Sequence, residues 1–287
     1  MKQRFKLLTL ALGLLMGVTM TSCLGDGGEY QSSATAIAKV YSNFGMFYSF
    51  KTPGNAITIS PTEASINSLE SQNENFTMSS LVGKIVSIGY YWNSDDPNFV
   101  QTETSIEGVN LYAIQPLDFP TLVVPAENKG TARDSVATHP IISLNPTDAY
   151  GQKYQPYFFD NNKAEIIVPV NYYAPTDSRA TSISITLVYY PDDLATVADK
   201  NEGILRLYLN YRVNGVEDYA TQRSSFNFVA FSLHNMTPNT NISSQWGASI
   251  DKVRIVAKVN SYSTDMDNVG TEEEVYDVVT IEELESK

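Results

Sequence analysis

The stretch LRLYLNYRV, residues 205–213, alternates side-chain character without a break. Leu205, Leu207, Leu209, Tyr211 and Val213 fall on one side of an extended chain, with Arg206, Tyr208, Asn210 and Arg212 opposite. A helix would scatter that apolar set around its axis. A period of two calls for a sheet with one buried face. The pattern recurs in KIVSIGYYW (Val86, Ile88, Tyr90, Trp92), AEIIVPVNYY (Ile166, Val168, Val170, Tyr172) and SISITLVYY (Ile183, Ile185, Leu187, Tyr189). Shorter runs of the same kind extend from ATAIAKVY at 34–41 to VYDVVTIEE at 275–283.

Only two stretches read as helix, TEASINSLE (62–70) and PDDLATVADK (191–200). Many short strands joined by polar turns mean an all-β chain, built as a sandwich or a barrel. Pro169 marks an edge or bulge in its strand. Asn214-Gly215 reads as a tight hairpin turn, since both central positions of a type I′ turn need positive φ. Between the two β-rich halves, PLDFPTLVVPAENKGTARDS (116–135) carries three prolines and no clear alternation. It reads as an interdomain connection, with TLVV as a candidate short edge strand.

The N-terminus has a different texture. Lys2, Arg4 and Lys6 precede a mostly apolar run from Leu7 to Met20. At about fourteen residues the run suits a secretory leader and falls short of the roughly 20 a membrane span needs. Small Thr21 and Ser22 then lead to Cys23, the chain's single cysteine. This arrangement resembles the lipobox of bacterial lipoproteins, with Met20 standing where Leu is usual. That resemblance implies acylation of Cys23 and a tether to the membrane through lipid, because each buried methylene adds ~0.8 kcal/mol. A lipidated Cys23 leaves no thiol for a disulfide, a metal or a nucleophile. Leu24 after the cysteine fits outer-membrane delivery, and Asp26 and Glu29 form a faint acidic cluster of the surface-export kind. Surface and periplasmic faces both stay open.

The formal charge is −13, and −16 without the leader's three cations. So acidic a chain as a whole repels nucleic acid and anionic lipid surfaces, and no basic stripe interleaved with aromatics offsets that. Apolar residues make up 43 % of the chain, enough for real cores. About 260 mature residues suit one large domain or two ordinary ones.

The leader KLLTLALGLLMGVTMTSCLGD, the segment LVGKIVSIGYYWNSDD and the later LRLYLNYRVNG and FNFVAFSLHN together resemble the NigD-like lipoproteins of Bacteroidetes. The resemblance implies an N-terminal OB-like β-barrel followed by a C-terminal β-sandwich. On that reading residues 1–22 are leader, 23–36 a flexible tether, 37–118 the barrel, 119–135 a linker and 136–287 the sandwich. It also implies a link to bacteriocin systems, but carries no catalytic residues and no cofactor.

No residue pattern points to an enzyme. His139 precedes a proline in a loop, His234 follows a strand, and no nucleophile-elbow motif is present. Asp265 and Asp267 match two positions of a calcium loop, but Val269 and Tyr276 occupy two others. Among 32 acids, no mark selects a glycosidase pair. Adjacent rings at Tyr90-Tyr91-Trp92, Tyr157-Phe158-Phe159, Tyr172-Tyr173 and Tyr189-Tyr190 place one ring in a core and leave another free for contact. Tyr91, Trp92 and the loop residue Trp246 are the candidate ligand contacts. The expected role is a lipid-anchored, non-catalytic envelope protein that meets another envelope protein or an extracellular ligand. Carbohydrate binding and a fimbrial or adhesin role are the alternatives.

Overall fold

A computed structural model describes residues 31–45, 47–72, 76–129, 137, 139–147, 151, 153–175, 182–214, 222–236, 252–260 and 272–285. The chain divides into two compact units, with the break after Asp118.

The first unit is an OB-type barrel. Its strands are β1 (Gln31–Asn43), β2 (Phe47–Lys51), β3 (Thr58–Pro61), β4 (Ile85–Asn93), β5 (Val100–Gln101) and β6 (Ser105–Pro116). Helix α1 (Glu63–Gln72) lies between β3 and β4. The sheet order is β3-β2-β1-β4-β6-β5, and a parallel β3–β6 pairing closes a ring of five strands. Closure removes the unpaired edges that β3 and β6 would otherwise leave. Long β1 serves two partners: its second half pairs with β2, and most of its length pairs with β4.

Alternation sets the inside of the ring. Ala34, Ala36, Ala38 and Val40 of β1 face Val86, Ile88 and Tyr90 of β4, with Phe50, Ile59, Val109 and Leu111 completing the core. Alanines on β1 leave room for the Tyr90 ring. Ile66 of α1 and Met78 and Leu81 beyond it pack against the same core. Strand β1 starts at Gln31, inside the 23–36 stretch expected to be tether. The buried Ala34 and Ala36 pair with Tyr90 and Ile88, and this draws the start of the strand forward.

The second unit contains β7 (Asp118–Phe119), β8 (Thr121–Val123), β9 (Ile141–Ser143), β10 (Tyr157–Phe158), β11 (Glu165–Pro175) and β12 (Ser182–Tyr189). After α2 (Leu194–Asn201) come β13 (Ile204–Asn214), β14 (Gln222–Ser232), β15 (Lys252–Val259), β16 (Glu272–Asp277) and α3 (Ile281–Glu285). The main path runs β7-β14-β11-β9-β15-β13-β12-β8, with β10 on β11 and β16 on β15. This single sheet curls into a nearly closed, barrel-like body, whose opposed inner faces stand where a sandwich was expected. Its two inner faces share one core, in which Leu205, Leu207, Leu209, Tyr211 and Val213 meet Ile166, Val168, Val170 and Tyr172. Tyr211 anchors that core through its hydroxyl, which donates to the Tyr173 carbonyl at 2.7 Å.

Three sequence expectations are corrected here. The 119–135 stretch is no free linker over its described part, because β7 and β8 join the sheet and Val124 packs with Val188 and Tyr190. Strand β13 forms no hairpin with β14 across Asn214-Gly215. Its two edges are taken by β12 and, in parallel, by β15. Pro169 sits in a central strand, not an edge. It pairs with Phe228 on one side, and on the other it falls between the residues that meet short β10 and short β9. The missing N–H therefore interrupts no ladder.

Candidate interaction surface

The strongest polar constellation lies on the outer face of the second unit. Lys129 donates to Asp193 at 2.7 Å, and the Tyr208 hydroxyl donates to the same carboxylate at 3.0 Å. Arg206 donates to the Tyr208 oxygen at 3.1 Å and to Asp199 at 2.9 Å. Arg254 then bridges Asp199 at 3.3 Å and Asp277 at 2.7 Å. The chain of contacts clamps α2 to β13 and β15.

These groups are tuned toward pairing. Burial alone would push the Asp193 carboxyl up, but hydrogen bonds from Lys129 and Tyr208 hold it below the usual carboxylate range. Burial would likewise lower Lys129, and its bond to Asp193 raises it instead. Tyr208 is raised by burial and by donating to Asp193. Each carboxylate in the chain has a cation against it, which leaves no free base poised for proton transfer. The arrangement is a structural brace.

The two histidines occupy different settings. His139 is buried, its Nδ1 accepts the Val213 N–H at 3.1 Å, and its ring stands edge-on to Tyr211. His234 is exposed on the turn that follows β14. Among the described residues, no group of three His, Cys, Asp or Glu side chains gathers as a metal site. Cys23, Trp246, Asp265 and Asp267 lie outside the described residues.

Aromatic side chains offer more. Trp92 is half-buried, and the rings of Tyr90 and Phe99 both stack on it at 5.8 and 5.9 Å. It packs against the barrel core and is more lid than open contact. Burial pushes the Tyr90 phenol up to about 12, so it stays neutral. Tyr91 points the other way. Its ring stacks on Tyr112 at 6.5 Å, and Tyr112 is half exposed. Gly89 makes this geometry: a Cβ there would lie 2.6 Å from the Tyr112 ring. Tyr91 and Tyr112 thus form a paired-ring platform on the outside of the barrel, over a glycine floor.

The structure buries most of the other adjacent rings and leaves Tyr173 half-buried beside the buried Tyr172. Tyr157, Phe158, Phe159, Tyr189 and Tyr190 are all buried, because both faces of their strands are covered. Sequence reading missed Tyr112, whose partner is set by a bulge in the β4–β6 ladder beside Gly89. It also missed the exposed Phe44 and Phe47 at the β1–β2 turn. Their signal was the run NFGMFY, apolar where a turn is ordinarily polar.

The fold has solved counterparts. It is shared with a Bacteroides fragilis protein named as a "putative lipoprotein", at TM-score 0.59 and 23 % identity over 86 % of this chain and 97 % of that one. A Bacteroides vulgatus protein of unknown function aligns at TM-score 0.48 and 13 % identity, over 85 % of this chain and 89 % of its own. A NigD-like immunity protein from Bacteroides caccae aligns at TM-score 0.45 and 14 % identity, over 84 % of this chain and 90 % of its own. No family model matches the sequence, and no curated protein matches it.

Proposed function

We propose that this chain is a lipid-anchored, non-catalytic protein of the cell envelope whose first barrel presents a binding surface. The observation that carries the reading is a division of labour among side chains. A connected set of charged groups in the second unit braces its sheet, whereas paired rings stand on the outside of the barrel. The lipobox-like Cys23 supports the anchor, as does a fold shared with a protein named as a "putative lipoprotein". Among the described residues no helix is long and apolar enough to cross a membrane. The proposed attachment is the acyl group on Cys23.

The test is fractionation of cells expressing the wild type and Cys23→Ala, with mass measurement of the N-terminal peptide. The wild type should sediment with the outer membrane and carry added lipid mass. Cys23→Ala should be released. An unmodified wild-type peptide would refute the anchor.

The Tyr91–Tyr112 platform favours a second reading, carbohydrate binding, because flat exposed rings stack on sugar faces. Screening residues 24–287 and Tyr91→Ala against a glycan panel separates the two. Binding lost in the variant supports it, and absence of binding by the wild type removes it.

A further inference from the structure

The β1–β2 hairpin departs from ordinary sheet chemistry in three ways at once. Phe44 has φ 56°, in the left-handed region that bulky L-residues avoid and that Gly, Asn and Asp fill in ordinary hairpin turns. The ring finds no packing in return: Phe44 is 97 % exposed, and Phe47 across the turn is 67 % exposed. Behind them Lys39 and Lys51 are direct register partners, a like-charge pair that weakens a ladder.

The lysines form a row across three strands. Lys39 faces Lys51 on β2 and Ile85 on β4. Exposed Lys84 precedes Ile85, and its carbonyl accepts the Val40 N–H at 3.0 Å. Lys39, Lys51 and Lys84 are all the basic residues between positions 31 and 118. Asp118 lies beside the row, where its carboxylate accepts the Ile85 N–H at 2.8 Å. The other described acids of the unit are on α1 (Glu63, Glu70) or between Asp95 and Glu107. An acidic protein has therefore gathered the cations of this unit at the base of one apolar tip.

Order along the hairpin matters as much as composition. The outward face runs from Lys39 and Lys51 through Tyr41 and Ser49 to Asn43 and Phe47, with Phe44 at the turn. Lys51 Nζ lies 4.8 Å from the centre of the Tyr41 ring. Lys51 lies four positions along the strand from Phe47, about 13 Å at the ~3.3 Å rise of a strand.

We propose that this hairpin is a bilayer-contacting finger, with Phe44 and Phe47 entering the interface and Lys39, Lys51 and Lys84 meeting lipid phosphates. The spacing fits a membrane surface. Interfacial elements sink their apolar side roughly 5–10 Å below the headgroups. Ammonium groups about 13 Å behind the tip, on flexible four-carbon stems, then lie at phosphate level. Tyr41 falls between, at the depth where tyrosine is enriched.

This inference rests on the membrane-tethered reading for proximity alone. Cys23 precedes Gln31 by eight residues, at most about 29 Å of chain. β1 from Gln31 to the turn spans roughly 40 Å if straight, enough to bring the tip back to the surface that holds the tether.

The experiment uses residues 24–287, which keep every described element and lack the acyl group. Its failure therefore leaves the anchor untouched, while release of Cys23→Ala from cells tests the anchor alone. Co-sedimentation is measured with vesicles of phosphatidylethanolamine plus phosphatidylglycerol, and with phosphatidylcholine vesicles. The wild type should bind the anionic vesicles more tightly. Phe44→Ser/Phe47→Ser should weaken that binding tenfold or more, about the effect of losing one buried ring. Lys39→Gln/Lys51→Gln should weaken it roughly fivefold per lysine on anionic vesicles and flatten its salt dependence. Unchanged circular dichroism and melting show that the variants fold. No vesicle binding by the wild type, or equal binding by the serine variant, would overturn the finger. So would a lipid-free dimer that the serine variant dissolves, which would assign the tip to a second copy.

Discussion

Phe99 lies almost flat on Trp92, with ring centroids 5.9 Å apart and planes inclined by 11°. Gly108 holds that stack together from a distance. Its φ is 75°, and a Cβ there would collide with the Asn98 carbonyl oxygen, with Phe99 Cα at 3.2 Å. Gly108→Ala should push the 98–99 turn outward and uncover Trp92. The expected cost is about 2 kcal/mol or more, since left-handed strain and overlap with backbone add. A Trp246→Phe background leaves Trp92 as the sole tryptophan. There the alanine variant should show red-shifted emission and a lower Tm. Emission and Tm both unchanged would mean that the turn does not depend on this glycine.

The strands were legible because alternation is local. Leu205 through Val213, or Val86 through Tyr90, announce a buried face without knowledge of any partner. Partner choice was not legible. Asn214-Gly215 has ideal hairpin chemistry, yet the edge it would offer to β14 belongs to β15, which lies far along the chain. Buried aromatics were misjudged for a related reason. Adjacent rings do point to opposite faces, but Tyr189 and Tyr190 are both covered because the sheet curls round on one side and Val124 packs on the other. The candidate surface was half visible. Tyr91 could be named from its strand, whereas Tyr112 reaches it only through a bulge.

Gly89→Ala should dismantle the Tyr91–Tyr112 platform while leaving the core in place. The added methyl would occupy the position of the Tyr112 ring, and that half-exposed ring has solvent to swing into. The stability change should be about 1 kcal/mol or less, the scale of one cross-strand aromatic pair. If the platform stacks on sugars, Gly89→Ala and Tyr112→Ala should lose glycan binding together. Loss in Tyr112→Ala with full retention in Gly89→Ala would show that the single ring, not the paired platform, makes the contact.

Asp199 ties Arg206 to Arg254, and its side chain is only 13 % exposed. Asp199→Ala takes one carboxylate from two guanidinium groups that keep Asp277 and Glu273 as partners, and should cost about 1–2 kcal/mol. Chemical denaturation measures this directly. A loss below about 0.5 kcal/mol would place the bridge among ordinary surface pairs.

The Lys129–Asp193–Tyr208 end of that brace should also set a pH window. Asp193 is held below its unfolded value, so its contribution is complete above about pH 4 and fades as pH falls through the lower folded value. Lys129 and Tyr208 are held above theirs, so their contributions are complete below about pH 10 and fade as pH rises through the folded values. The stability gap between wild type and Asp193→Asn should therefore be flat near neutrality and close on the acid side. A gap that stays constant down to about pH 2 would show that Asp193 has the same affinity for its proton folded and unfolded.

Phe44→Asn should make the protein more stable. Asparagine enters the left-handed region readily, and Phe44 forgoes that ease with its ring 97 % exposed. Replacement should gain about 0.5–1 kcal/mol and raise Tm by roughly 2–3 °C. The same variant should bind anionic vesicles more weakly, because the ring that strains the turn is the ring proposed to enter lipid. Opposite signs in the two measurements are the mark of a residue whose conformational cost is borne for contact outside the fold. A lower Tm for Phe44→Asn would show instead that the ring packs within the folded chain in solution, and the tip would then be a structural element.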